Sequence, residues 1–221
     1  LISNKKDKQE IFDGITSRHV NAYYSTLVKG LTAKVFRTYL ASSVVSRYLR
    51  DHDNIKSESN MKKLFHARMA NLNAAMMCNH KRTIPKNFEQ SLQKKKDTLE
   101  NVQRSKPWQK SEESLKKVES KTQKTEKQNK QIKKIKIQIR NKKRKHDERI
   151  EKLKLQIELK EKTRDHNLGT SLRNYIDPRI FKTWTDEVVS EWEKLYTSAL
   201  QKKFLWVKSV NSKWNEVSKQ Y

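Results

Sequence analysis

Three glycines, three prolines and one cysteine in 221 residues set the first limits on this chain. So few of the two residues that interrupt regular structure argues for long helices. Cys78, being alone, cannot close an internal disulfide and suits a reducing compartment such as the cytosol or nucleus. Apolar residues are also scarce, 33% with alanine counted. A small core with an extended, solvated part is therefore expected, instead of one large core. The longest apolar run, Ala74 to Cys78, is far too short to span a bilayer. The histidines are scattered and no Cys/His spacing fits zinc. No glycine-rich phosphate loop and no serine-centred nucleophile elbow is present. No metal, nucleotide or other small-molecule cofactor is expected. The chain opens on Leu1 and not on Met, as a piece of something longer would, and no secretory signal is read.

What the chain has is positive charge. Its 51 Lys plus Arg stand against 25 Asp plus Glu, a formal net charge of +26. Such an excess repels itself in a compact protein and implies a polyanionic partner. Nucleic acid is the leading candidate, because each phosphate neutralised by Lys or Arg releases a condensed counterion. A membrane surface is the main rival, and would need an apolar anchoring stripe or a spanning segment, the latter excluded by the short apolar runs. An acidic protein stays open as a third partner class.

Periodicity divides an all-α chain into three stretches. Residues 1–90 read as helical segments of a core. Val20, Tyr23, Tyr24, Leu27 and Val28 recur at helical spacing, and Gly30 ends the pattern. Thr32 can cap a second helix with Phe36, Leu40 and Val44 as its apolar positions. A third starts near Ser59, with Met61, Leu64, Phe65, Leu72 and Met76 on one side. Thr83-Ile84-Pro85 marks a turn. Residues 91–165 hold 26 Lys plus Arg and 12 Asp plus Glu, a net +14. Their sparse apolar residues (Leu92, Leu99, Val102, Leu115, Val118, then Ile132, Ile135, Ile139, Ile150, Leu153, Ile157) step by threes and fours, the seam of a coiled coil. Every residue between Val118 and Ile132 is polar, which is where an antiparallel hairpin would turn back, and Pro107 would break its first arm. A single exposed helix or a disordered basic tract is the plainer alternative. Residues 166–221 carry Trp184, Trp192, Tyr196, Phe204, Trp206 and Trp214, and read as a small helical domain that docks on something else.

Four blocks carry a resemblance. They are Gly30-Leu31-Thr32-Ala33-Lys34-Val35-Phe36-Arg37-Thr38-Tyr39; Cys78-Asn79-His80-Lys81-Arg82 with Pro85-Lys86 and Phe88-Glu89; Leu168-Gly169-Thr170-Ser171 with Asn174-Tyr175-Ile176-Asp177-Pro178-Arg179; and Glu193-Lys194-Leu195-Tyr196 with Lys203-Phe204-Leu205-Trp206. In sequence and order the chain resembles eukaryotic-type DNA topoisomerase I, the type IB family, over essentially its whole length. The resemblance implies part of the catalytic core (1–90), a basic coiled-coil linker (91–165) and a C-terminal domain (166–221).

The same resemblance implies the chemistry. Tyr175 matches the nucleophile, whose phenolic oxygen attacks a DNA phosphodiester and stays joined to the 3′ phosphate. The free 5′ end rotates, and its hydroxyl then reseals the strand without ATP. Arg37 matches a phosphate-binding arginine and His80 a histidine that donates to a non-bridging oxygen. Both would absorb the charge that builds on a five-coordinate phosphorus. Asn174, Lys34, Thr170 and Arg173 are the expected DNA contacts. The tryptophans are expected to pack in the core and not to stack on bases. Taken alone, each residue has a plainer reading: Tyr175 one half-buried tyrosine among seven, Arg37 a helix-surface cation, His80 a turn histidine, Lys34 solvated charge.

Two departures stand out. Leu172-Arg173 follows Ser171 where the family has its lysine one place earlier, and Leu72-Asn73 replaces a more basic pair. The family's second arginine and the lysine that acts as general acid match positions upstream of Leu1, so this chain alone is not expected to relax DNA efficiently. Double-stranded DNA is the expected partner, the nucleus the expected location, and a monomer the expected state. A tyrosine recombinase, which would read a specific site, and a non-enzymatic basic coiled-coil protein are the alternatives.

Overall fold

The structure, a computed structural model, describes residues 5–6, 9–120 and 125–221. These residues form helices without a named strand, the one bridge being an isolated antiparallel pair, Lys81 with His166. None of the described helices is long and apolar enough to cross a membrane. The chain divides into two compact units. One takes the described residues up to Arg82 together with His166–Tyr221; the other is Thr83–Asp165.

The first unit begins with α1 (Ser17–Leu27), α2 (Ala33–Arg50) and α3 (Asn60–Met77). Gly30 follows α1 with φ of 80°, a left-handed conformation that glycine adopts without strain. Thr32 stands at the N-cap of α2, although its side chain makes no cap bond, while Ser59 caps α3 by accepting from the Lys62 amide. Of the bulky positions expected to be apolar contacts on α2 and α3, only Leu72 is buried. Phe36, Leu40 and Met76 remain about half exposed, and α2 instead buries Ala41, Ser42, Val45 and Leu49 against Ala67, Ala70 and Ala74 of α3. Alanine and serine give little hydrophobic contrast, so the periodic signal followed the larger side chains around to the wrong face.

After His166 come α7 (Leu168–Asn174), α8 (Pro178–Glu187), a 3₁₀ turn at Trp192–Leu195, α9 (Ser198–Lys203), a second 3₁₀ turn at Leu205–Ser209 and α10 (Trp214–Ser218). Ile180, Phe181, Trp184, Val188, Val207 and Val217 are fully or almost fully buried in the same core as Val45, Leu49 and Ala70. What the aromatic C-terminal stretch docks on is therefore α2 and α3, and one shared core serves both ends of the chain.

The second unit is an antiparallel hairpin. α4 (Phe88–Arg104) and α5 (Gln109–Glu119) run against the 37-residue α6 (Glu126–Lys162), about 55 Å long at 1.5 Å per residue. The break between α4 and α5 falls at Pro107, as expected. Leu92, Val102, Ile135, Ile139 and Ile157 are the buried seam. Cross-arm pairs Lys96–Glu161, Glu112–Lys143 and Glu119–Lys136 (2.7–2.9 Å) run in opposite sequence directions and fix the register. Each is half exposed and contributes at most about 1 kcal/mol. Of the segment in which the chain was expected to reverse, residues 121–124 lie outside the described ones.

Candidate active site

The site is built where three chain segments meet in the first unit. The first is the N-terminal half of α2, which carries Lys34 and Arg37 one turn apart on one exposed face. The second is the end of α3. There Cys78 is the C-cap, Asn79 has φ of 55°, the His80 amide donates to Ala75 O (2.8 Å), and the Asn79 amide donates to Met76 O (2.9 Å). This is a Schellman stop with asparagine in the left-handed place, and it sets the direction in which His80 leaves the helix. The third is the joint between α7 and α8, with Tyr175 as the C-cap of α7 and Asp177 as the N-cap of α8, Pro178 following at N1.

Local bonds lock these segments together. The His80 carbonyl accepts from the Asn167 amide (2.7 Å), beside the Lys81–His166 bridge. Buried Asn71 of α3 takes a hydrogen bond from Ser171 Oγ (2.9 Å) and gives one to Leu168 O (3.0 Å), which holds α7 at its start and its middle. Buried Ser42 of α2 accepts from the Asp177 amide (3.0 Å) and donates to Tyr175 O at 3.5 Å. Arg37 Nη2 donates to Cys78 O, tying the α2 cation to the loop that carries His80.

The result is a cluster around one phenol. The Tyr175 ring is 5.2 Å from the His80 ring, 5.1 Å from Arg37 Cζ and 5.9 Å from Lys34 Nζ, measured between centroids or to the centroid. Burial, and then the Arg37 guanidinium, hold His80 below its ordinary value of 6.5, so the imidazole is neutral in the free protein. Its Nδ1 is buried without a hydrogen-bond partner. The neutral imidazole keeps one ring N–H to donate, and the Arg37 guanidinium is a cation held beside the same phenol.

The remaining expected residues lie next to this cluster. Asn174 and Arg173 are exposed and line an open cleft of about 530 Å³ with Lys34, Arg179, Lys203 and Trp206. Thr170 is half-buried in a neighbouring cleft of about 520 Å³ that shares Arg173 and Asn174. Trp206 departs from expectation. Trp184, Trp192 and Trp214 are buried, but Trp206 is half exposed at the cleft. Sequence reasoning gave no role to Ser42, Asn71 or Ser171. Nothing marks a serine or asparagine as a buried tie until the helices it joins are known. Among the described residues no group of three or more His, Cys, Asp or Glu could hold a metal ion.

Comparison with known proteins comes to the same place. The family described as eukaryotic DNA topoisomerase I, catalytic core, matches residues 1–113, and the C-terminal topoisomerase domain matches residues 147–216. Tyr221 lies outside both. The chain is 32% identical to mouse (Mus musculus) DNA topoisomerase 1 over 220 residues, covering 93% of this chain and 26% of that protein. It is 32% identical to human (Homo sapiens) mitochondrial DNA topoisomerase I over 210 residues, 93% of this chain and 33% of that one. It is also 32% identical to Drosophila melanogaster DNA topoisomerase 1, covering 93% of this chain and 19% of that protein. The chain thus spans between about a fifth and a third of the length of these relatives.

Proposed function

The chain belongs to the eukaryotic DNA topoisomerase I family, and on that premise we propose that it supplies the nucleophile and two charge-stabilising side chains of an enzyme that relaxes supercoiled double-stranded DNA. Tyr175 Oη attacks a backbone phosphorus, the bond to the 5′ oxygen breaks, and the 3′ phosphate stays on the tyrosine. Arg37 and His80 donate to the non-bridging oxygens, whose charge grows as phosphorus becomes five-coordinate. The phosphotyrosyl bond conserves the energy of the broken link, so the freed 5′ hydroxyl can reverse the step after the duplex has turned, without ATP. Lys34, Thr170, Arg173 and Asn174 hold the backbone on either side. The proton for the leaving oxygen and a second guanidinium belong to residues that the family resemblance puts upstream of Leu1.

The reading is carried by one observation: His80, Arg37 and Lys34, from two segments far apart in sequence, converge on the ring of Tyr175. Core, linker and C-terminal parts at 1–90, 91–165 and 166–221 divide the work as nucleophile support, positive field and nucleophile delivery. The nucleus is the proposed place of action and a monomer the proposed state. Mitochondrial forms among the relatives make a fluorescent-fusion import assay the way to separate the two compartments. The functional test is a covalent protein–DNA adduct formed by the complete protein. It should vanish in Tyr175→Phe while DNA affinity persists. An adduct that survives this change would remove Tyr175 from the chemistry, and with it this function.

A further inference from the structure

The Tyr175–Ile176–Asp177 joint is short, and the direction of the phenol depends on how firmly both of its ends are held. Ser42 holds the backbone on the α2 side. The other end carries more bonding than a helix cap requires. Asp177 caps α8 by accepting from the Arg179 amide (2.9 Å), the ordinary bond of an N-cap residue. Its carboxylate also accepts from Arg179 Nε (2.8 Å) and Nη2 (2.5 Å) and from the hydroxyl of Tyr221 (2.7 Å). The Tyr221 ring in turn lies 5.9 Å from the ring of Tyr39, two residues beyond Arg37 on α2. One residue therefore bonds the start of α8 and touches the helix that presents Lys34 and Arg37.

We propose that Tyr221 is a positioning residue for the nucleophile: through Asp177 and Tyr39 it clasps the Tyr175–Asp177 joint onto α2, so that the phenol and the Arg37 guanidinium keep a fixed separation. The inference rests on the function proposed above, and it concerns a residue outside both family matches. The clasp keeps one protonation state across the working range. Burial raises the Asp177 carboxyl, but hydrogen bonds from Arg179 and Tyr221 more than reverse this and leave it below the usual carboxylate value. Burial first, and then the bond to Asp177, push Tyr221 up to about 12, so it remains a donor. Arg179 is held protonated by the same carboxylate. A misplacement of about 1 Å at a reacting atom can cost up to about a hundredfold in rate. Losing one of two restraints on the joint is expected to cost about tenfold.

The experiment compares the complete wild-type protein with Tyr221→Phe and Tyr221→Ala. It reads single-turnover cleavage of a DNA that cannot be resealed, DNA affinity, melting temperature, and amide exchange of a peptide covering residues 172–177. Tyr221→Phe is expected to cleave about tenfold more slowly, with affinity within about twofold and faster exchange in the joint. Tyr221→Ala, which also removes the ring contact with Tyr39, should cleave more slowly still. Wild-type cleavage by Tyr221→Phe with a defect in Tyr221→Ala alone would reduce Tyr221 to a packing residue and overturn the proposal. So would a rate loss that simply follows lost affinity or lowered melting temperature. Unchanged exchange in the joint overturns the clasp whatever the DNA assays show. Absence of any wild-type adduct would instead strike the proposed function.

Discussion

The His80 and Tyr175 rings lie 5.2 Å apart with their planes tilted by 35°, and Arg37 Cζ sits 5.1 Å from the same tyrosine ring. Burial, and then Arg37, depress the basicity of His80 in the free protein, while a phosphate brought to Tyr175 would favour its protonated form. Binding of DNA is then linked to proton uptake. Affinity should strengthen as pH falls from about 7.5 to about 5.5, across the ordinary histidine value. The strengthening should be greater in the wild type than in His80→Gln, as read by fluorescence anisotropy at constant salt. The stability of the unbound protein should move the other way. A base with a lowered folded-state pKa takes up its proton more readily when unfolded, so stability is lost as pH drops below 6.5. Parallel affinity slopes for the two proteins would exclude His80 from contact with phosphate.

Arg37 is expected to act on the transition state more than on binding. Arg37→Ala in the complete protein should slow single-turnover cleavage by about 10² to 10³, the usual effect of removing one donor to a developing oxyanion. Arg37→Lys should recover little of it, because an ammonium can neither donate two parallel bonds nor keep the same reach to Cys78 O. A loss confined to DNA affinity, with cleavage at saturation unchanged, would make Arg37 an ordinary backbone contact.

Much of this was legible in the sequence, for identifiable reasons. The helix starts at Thr32 and Ser59, the stop before Gly30 and the break at Pro107 are written in residues whose backbone preferences act locally. The hairpin seam was visible because isoleucines and leucines stand out in a field of lysine. The buried face of α2 was missed because it is made of Ala41, Ser42 and Val45, which contrast weakly with their neighbours. The ties through Ser42, Asn71 and Tyr221 were missed because each joins residues far apart in the chain. Trp206 was assigned to packing by composition, and only the cleft it borders distinguishes it from the buried tryptophans.

Asn79 offers a test of how His80 is aimed. Its φ of 55° is accessible to asparagine and glycine but strained for a branched side chain. Asn79→Gly should leave stability within about 0.5 kcal/mol and cleavage near wild type. Asn79→Val should cost about 1–2 kcal/mol in denaturant unfolding and slow cleavage by misdirecting His80. Normal cleavage by a destabilised Asn79→Val would show that the Schellman turn serves only to end α3.

The hairpin's charge should act through the ionic atmosphere of DNA. Lys133, Lys134, Arg140 and Lys145 are exposed along α6. Changing all four to Gln should reduce the slope of log affinity against log salt, by about 0.9 for each phosphate contact removed. It should also alter the rate at which supercoils are released per cleavage event. An unchanged salt slope together with unchanged relaxation kinetics would remove the hairpin's positive field from the proposed mechanism.

Val189 closes α8 in the same way that Asn79 closes α3, but with the wrong residue for the conformation. Its φ is 55°, the Ser190 amide donates to Thr185 O (2.7 Å), and its side chain is 64% exposed. A β-branched residue pays steric strain in the left-handed region, and an exposed side chain recovers little of that through burial. Val189→Gly should therefore raise stability by about 1 kcal/mol, the strain relieved exceeding the extra entropy glycine gives the unfolded chain. For a protein of this size that is a rise of about 2–4 °C in melting temperature. The position lies away from the Tyr175 cluster, on the far end of α8 from Asp177. Cleavage should be untouched, which separates this backbone effect from any change in the active site. A lower melting temperature for Val189→Gly would mean that the valine methyls make contacts worth more than the strain they cause.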